Sequence, residues 1–195
     1  MDALVVGGGL AGISSALELA DGGARVTLVT AAQHPAHHGI AQVHVETAEQ
    51  MLQGLREAQR EADLLVMAAA VADYRPAHVQ EEKIRREQTA EMSLELERNV
   101  DILAALAQEP GAEKTFRVGF AAEGGELEAK ALEKLERKRL DAIVANDIRR
   151  HDIAFGSDHN EAVVLLRGGE RVELARMTKR EMADRLYDLF LPRLR

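Results

Sequence analysis

Lysines recur at every fourth position in ELEAKALEKLERKRLDAIVAND, at Lys130, Lys134 and Lys138. On a helix they share one face, where three ammonium groups could grip a polyphosphate. Glu126, Glu133 and Glu136 stand at neighbouring spacings and could neutralise them, so a solvated charged face weighs equally on spacing alone. A second stretch, MAAAVADYRP from Met67 to Pro76, holds small residues, among them Ala68 and Ala69, that let a ligand approach the backbone. It also holds Asp73, whose carboxylate can accept hydrogen bonds from a sugar or base; packing of the alanines under a helix is the plain alternative. In VGFAAE, Phe120 ends an apolar strand and could stack on a base, although core filling is the commoner role. Lys83, in EEKIRRE, offers a mobile cation for phosphates against a simple surface role. His34, His37 and His38 lack nearby carboxylates on a rigid element, and no metal centre is assigned to them.

The first residues carry a different chemistry. In VVGGGLAGISSALELA, Gly7, Gly9 and Gly12 form G-x-G-x-x-G between a strand-like pair and a helix-like run. In a dinucleotide site the first glycine allows the tight turn, the second lets phosphates approach, and the third lets helix and strand pack closely. The following helix would aim free N–H groups and a partial positive charge at an anion. The acidic residue expected about 20 positions on, which would hold the ribose, is absent: the second strand, RVTLVT, ends at Thr30, and Glu18 and Asp21 come too early. The turn therefore reads equally as an FAD or NAD contact or as a compact strand-to-helix connection.

The elements that must position these residues follow from apolar periodicity. Strands are expected at Ala3–Val6, Arg25–Thr30, Ala41–Val45 and Asp63–Ala68, with helices at Leu10–Ala20 and Thr47–Glu61. A polar stretch of about two dozen residues follows Ala70 and contains one alternating strand, Met92–Leu96. Its length suggests a flap over 71–98. Helix Val100–Gln108, strand Thr115–Phe120, helix Glu126–Arg139 and strand Ala142–Ala145 come next. A hairpin then joins Ala162–Leu166 to Val172–Leu174, and Thr178 caps a last helix, Lys179–Leu191. The alternation implies right-handed crossovers and an α/β fold with a doubly wound, mainly parallel sheet, Rossmann-like, with a flap and a C-terminal β-hairpin.

At 195 residues the chain is expected to form a single nucleotide-binding domain over 1–195, with residues 1–23 an atypical glycine-rich start. That length leaves no second catalytic domain for a flavoenzyme of the usual size. A net charge of -8 argues against a broad nucleic-acid surface. The absence of cysteine excludes thiol catalysis, thiolate metal sites and disulfides. No apolar run reaches the ~18 residues of a membrane span, and no basic leader opens the chain, so a cytoplasmic protein without membrane or nucleic-acid partners is expected.

Taken in order, MAAAVADYRPAHVQEEKIRR, LELERNVDILAAL, VGFAAE, KALEKLERKRLDAIVANDI and FGSDHNEAVVL resemble the bacterial phosphopantothenate–cysteine ligase family from about Ala24 to the C-terminus. The resemblance implies a homodimer that uses CTP and Mg2+ to activate the carboxylate of 4'-phosphopantothenate as an acyl-cytidylate, releasing pyrophosphate. The amine of cysteine then displaces CMP to form the amide, so no protein nucleophile is required. The resemblance assigns Met67, Ala68, Ala69 and Asp73 to the nucleotide pocket and Lys83 to the phosphates, and it has Asp101, Ile102 and Leu103 line the cytidine site. Phe120 would contact the nucleotide, Lys134 and Lys138 would bind its triphosphate or base side, and Lys130 keeps its surface role.

The start departs from that family. Its glycine pair, long loop and Ser-Asn-Arg-Ser-Ser-Gly-Lys type run are replaced by GGGLAGISSALELADGG, with no Asn or Lys before Lys83, and Val100 stands where the family usually has Pro. The first β-α unit is shortened, exchanged or engineered, so the resemblance implies a retained CTP pocket with ligase activity impaired. The rival reading is an FAD or NAD domain using Gly7, Gly9 and Gly12; a third is a scaffold that binds no nucleotide.

Overall fold

Strand β1 (Asp2–Val6) is buried on both faces, as expected of a parallel strand covered by helices on each side. The computed structural model describes residues 1–35, 37–79, 82, 91–123, 125–147 and 158–194. Helix α1 (Leu10–Asp21) returns the chain to β2 (Arg25–Thr30), which pairs in parallel with both β1 and the edge strand β3 (Ile40–His44). Helix α2 (Ala48–Ala58) then crosses to β4 (Leu64–Met67) on the far side of β1. A short antiparallel pair follows, β5 (Tyr74–Pro76) with β6 (Leu96–Arg98), before α3 (Ile102–Leu106), β7 (Phe116–Glu123), α4 (Leu127–Arg137) and β8 (Ala142–Asp147). The hairpin of β9 (His159–Leu166) and β10 (Arg171–Thr178) extends the sheet, and α5 (Lys179–Phe190) packs beside α1.

The eight-stranded order is β10-β9-β8-β7-β4-β1-β2-β3, with all strands parallel except β9. The chain reverses its direction of travel between β1 and β4, and such switch points open a crevice at the carboxyl ends of the strands. The doubly wound α/β expectation is met.

Side-chain alternation splits the core into two layers. Val5, Val66, Val118 and Val144 face α1 and α5, where Met182, Leu186 and Phe190 are buried. Leu4, Leu65, Met67 and Ile143 face α2, α3 and α4, against Leu55, Leu106 and Leu135. Two helix starts are fixed by capping boxes: Thr47 with Gln50 on α2, and the expected Thr178 with Glu181 on α5. The rings of Phe116 and Phe190 stand 5.5 Å apart, and the Tyr187 hydroxyl donates to the Ser15 carbonyl, joining α5 to the sheet and to α1.

Several boundaries differ from the periodic reading, including both hairpin strands, which run longer than expected at His159–Leu166 and Arg171–Thr178. The expected strand Met92–Leu96 lies instead at Leu96–Arg98, and its partner Tyr74–Pro76 has no sequence signal, because three-residue strands show no period and here pair across 20 positions or more. The helix expected over Val100–Gln108 begins at Ile102, because Asp101 caps it by accepting from the Ala104 amide at 3.2 Å. Strand β7 runs on to Glu123 because Ala121, Ala122 and Glu123 find partners in Ala145, Asn146 and Asp147.

Candidate functional site

At the switch point, beyond the carboxyl ends of β1 and β4, two chain turns touch. A Cβ on Gly7 would stand 2.9 Å from the Ala69 amide nitrogen, and the Ala68 amide donates to the Val6 carbonyl at 2.9 Å. The alanine run therefore leaves β4 directly against the glycine turn, and Ala68 and Ala69 stay partly exposed beside it. Met67 is buried in the core, so it can offer a ligand only its main chain.

The glycines explain themselves structurally. Gly7 has φ +119, a conformation L residues rarely adopt, and a Cβ on Gly12 would meet the Gly7 carbonyl oxygen at 2.0 Å. These are the turn and packing roles expected of the first and third glycine. Gly9 caps α1 without a side-chain bond, and the space where its Cβ would point is open. At the end of β2, Thr30 is buried; its hydroxyl accepts from the Ala32 amide at 2.9 Å, and no carboxylate stands there for a ribose.

On the α3 and α4 side, the expected polar groups come together. The Lys138 ammonium lies 3.1 Å from the Asp101 carboxylate. A Schellman turn fixes this lysine: the Leu140 amide donates to the Leu135 carbonyl and the Arg139 amide to that of Glu136, with Arg139 left-handed at φ 51. Leu135 and Leu140 are buried together beneath it. Lys134, one turn earlier, is half-buried, whereas Lys130 is exposed, as its surface reading required. Ile102 and Leu103 are buried in the core, so at this site they too present main chain rather than side chain. A Cβ on Gly119 would lie 3.6 Å from the Leu103 Cδ1 and 2.6 Å from that of Leu140. Gly119 also pairs with Met67, so β4, β7, α3 and the end of α4 converge on one sheet face.

Phe120 points the other way. Its partly buried ring packs with Val118 and Phe116 against the α1 and α5 layer, across the sheet from Asp101 and Lys138. Core filling accounts for the ring, and a base held beside Lys138 would meet β7 through its backbone. Asp73 is exposed on the loop after β4, and its carbonyl accepts from the Asn99 amide at 2.8 Å. Lys83 lies outside the described residues.

Sequence reasoning passed over Arg75 and Asn99. The Arg75 guanidinium reaches Glu97 at 2.8 Å, Asn99 at 2.9 Å and Glu49 of α2 at 3.0 Å. The Asn99 amide donates to the Ala72 carbonyl at 2.8 Å. Both residues sat inside the quoted motifs, but spacing alone gave no sign that they meet.

Among the described residues no three His, Asp or Glu side chains gather to hold a metal, and no helix is long and apolar enough to cross a membrane. Residues 6–192 match the DNA/pantothenate metabolism flavoprotein C-terminal domain. The chain is 38% identical over 192 residues to the coenzyme A biosynthesis bifunctional protein CoaBC of Mycolicibacterium smegmatis, covering 92% of this chain and 46% of that protein. To CoaBC of Bacillus subtilis it is 35% identical over 165 residues, 83% of this chain and 39% of the relative. It thus spans about half the length, or less, of these relatives.

The crystal structure of the C-terminal domain of a CoaBC protein superposes with TM-score 0.77 at 29% identity, covering 97% of this chain and 93% of that one. A DNA/pantothenate metabolism flavoprotein from Streptococcus pneumoniae gives the same TM-score at 18% identity, covering 98% and 99%, which speaks to the fold alone. None of these likenesses supports the FAD or NAD reading of Gly7, Gly9 and Gly12, and the missing carboxylate at Thr30 is the physical reason to abandon it. The residues that meet at the switch point and the likeness along nearly the whole chain agree: the protein belongs to the DNA/pantothenate metabolism flavoprotein C-terminal domain family.

Proposed function

We propose that this chain is a CTP-binding domain of the phosphopantothenate–cysteine ligase type, working in the cytoplasm in coenzyme A biosynthesis, with its ligase step impaired. The carrying observation is the Asp101–Lys138 contact on the sheet face shared with Ala69 and Leu103. Cytosine presents an amino donor on its pairing edge beside ring acceptors. Asp101 is suited to accept from that amino group and Lys138 to donate to the acceptors, whereas uracil would turn a carbonyl toward the carboxylate. Lys134 and, by the family resemblance, Lys83 would supply cations for the triphosphate, where they would stabilise the charge that builds on departing pyrophosphate. Among the described residues no three His, Asp or Glu side chains gather, so the phosphates of the nucleotide would supply the main oxygen ligands for magnesium, which would add charge neutralisation there.

The impairment follows from the start of the chain. The short turn Gly7–Gly8–Gly9 brings no Asn, Arg or Lys to the crevice, so the groups that would hold 4'-phosphopantothenate and its acyl-cytidylate are missing there. We further propose a homodimer. The antiparallel pair of β5 and β6 turns Arg75 and Glu97 toward α2, and it leaves Tyr74, Pro76 and Leu96 exposed on its other face, with Met92 and Leu94 exposed beyond. A second copy of this face would cover them.

Thermal melting with magnesium and CTP, UTP or ATP tests the site. Saturation at about 100 times Kd adds ~2.7 kcal/mol, or ~5–10 °C for a domain of this size. CTP should raise Tm in preference to the others, and Lys138→Ala should remove the rise. No shift with CTP refutes the reading. Release of pyrophosphate from CTP on adding 4'-phosphopantothenate refutes the impairment.

A further inference from the structure

Asp73 and Asp101 lie 28 positions apart on two separate loops, and neither loop belongs to the main sheet. If both are to meet one nucleotide, something must fix their spacing. The β5–β6 pair alone is too short to do so, because an isolated two-stranded sheet is marginal in water. What spans the gap is a polar clamp. Asn99 uses its main chain to donate to the Asp73 carbonyl and its side-chain amide to donate to the Ala72 carbonyl, both at 2.8 Å. Its side-chain oxygen accepts from the Arg75 Nη1 at 2.9 Å. The other two guanidinium nitrogens of Arg75 are engaged by Glu97 at 2.8 Å and by Glu49 at 3.0 Å. Glu49 lies in the first turn of α2, which Thr47 and Gln50 cap, so the clamp is anchored to a rigid element of the main body.

We propose that Arg75 and Asn99 are positioning residues: through Glu49 they hold the Asp73 loop at a set distance from Asp101, two residues beyond Asn99, and so shape the base and ribose end of the nucleotide pocket. The proposal rests on the reading of the site as a CTP pocket. Neither side chain need touch the ligand. Arginine is required rather than lysine, because its planar fork serves three partners from two separate segments at once and a single ammonium cannot.

The test compares Arg75→Lys, Asn99→Ala and Asn99→Asp with the parent protein by calorimetric titration of CTP and, separately, of inorganic tripolyphosphate. Asn99→Ala and Arg75→Lys should each weaken CTP at least tenfold and leave tripolyphosphate within twofold, because the lysines that meet the phosphates are untouched. Asn99→Asp keeps the acceptor for Arg75 and loses the donor to Ala72, so its loss should be smaller. Equal weakening of both ligands marks general damage and overturns the positioning role, as does CTP binding unchanged in Asn99→Ala. A parent protein that binds tripolyphosphate but not CTP overturns the reading of the pocket itself. Amide exchange at Asn99 and Ala77 supplies an independent check: it should quicken in Arg75→Lys while the β4 and β7 amides hold, and unaltered exchange refutes the clamp.

Discussion

Gly12→Ala should destabilise the fold, although alanine is the better helix former. A Cβ at this position would lie 2.0 Å from the Gly7 carbonyl oxygen and 2.9 Å from its carbon, where ordinary carbon–oxygen contacts begin near ~3.3 Å. The obstacle is backbone on both sides, so no rotamer relieves it. Helix α1 would have to withdraw by roughly 1 Å from β1. That movement opens the layer where Ala16 and Leu19 are buried, and it strains the Tyr187 bond to Ser15 and the Arg180 contacts to Glu18 and Asp21. Overpacking of this kind costs about 3 kcal/mol at the upper end, and the alanine preference returns up to ~1 kcal/mol. The net loss of ~2 kcal/mol corresponds to a Tm lower by ~4–8 °C for about 195 residues. Gly9→Ser is the control, since the space beside Gly9 is open and its φ of -78 suits an N-cap serine. It should hold or slightly raise Tm. Circular-dichroism melts of the two variants decide the matter. A Gly12→Ala protein melting within about 2 °C of the parent would refute the close-packing argument.

Thr178→Ala removes the capping box of α5 and should cost about 1 kcal/mol, read as a lower urea midpoint with unchanged slope. The Thr178 amide and hydroxyl hold the Glu181 carboxyl below its ordinary value of 4.5, so its contribution is present above that pH and is lost as pH falls through the lowered value. Stability of Glu181→Gln should therefore fall less steeply in acid, measured as urea midpoints across the acid range. Burial raises the Tyr187 hydroxyl well above its ordinary pKa of 10.0, so its stabilisation is complete below that pH and is lost above it, as the unfolded chain ionises. Tyr187→Phe should be weaker at neutrality by ~1 kcal/mol yet lose less on going alkaline. Arg139→Gly replaces a left-handed arginine at the end of α4 and should raise Tm by a few degrees, a gain of about 1 kcal/mol. Leu96→Glu should turn the proposed dimer monomeric in analytical ultracentrifugation and remove any dependence of Tm on protein concentration; a variant that stays dimeric places the interface elsewhere.

The sequence by itself determined the alternation of strands and helices and the Thr178 cap, because these depend on neighbours two to four residues away. Period two also made Phe116, Val118 and Phe120 share a face of β7. Only the crossovers decided that this face belongs to α1 and α5, which separates the Phe120 ring from Lys138. The same limit hid β5 and β6, whose three-residue strands carry no period and are joined through Arg75 and Asn99. The contact of Lys138 with Asp101 across 37 positions, and of Gly7 with Ala69 across 62, likewise exists only once the sheet has set its order. Local chemistry is written in spacing, whereas a site built from the ends of several strands is decided by which strands become neighbours, a choice made by the packing of the whole core.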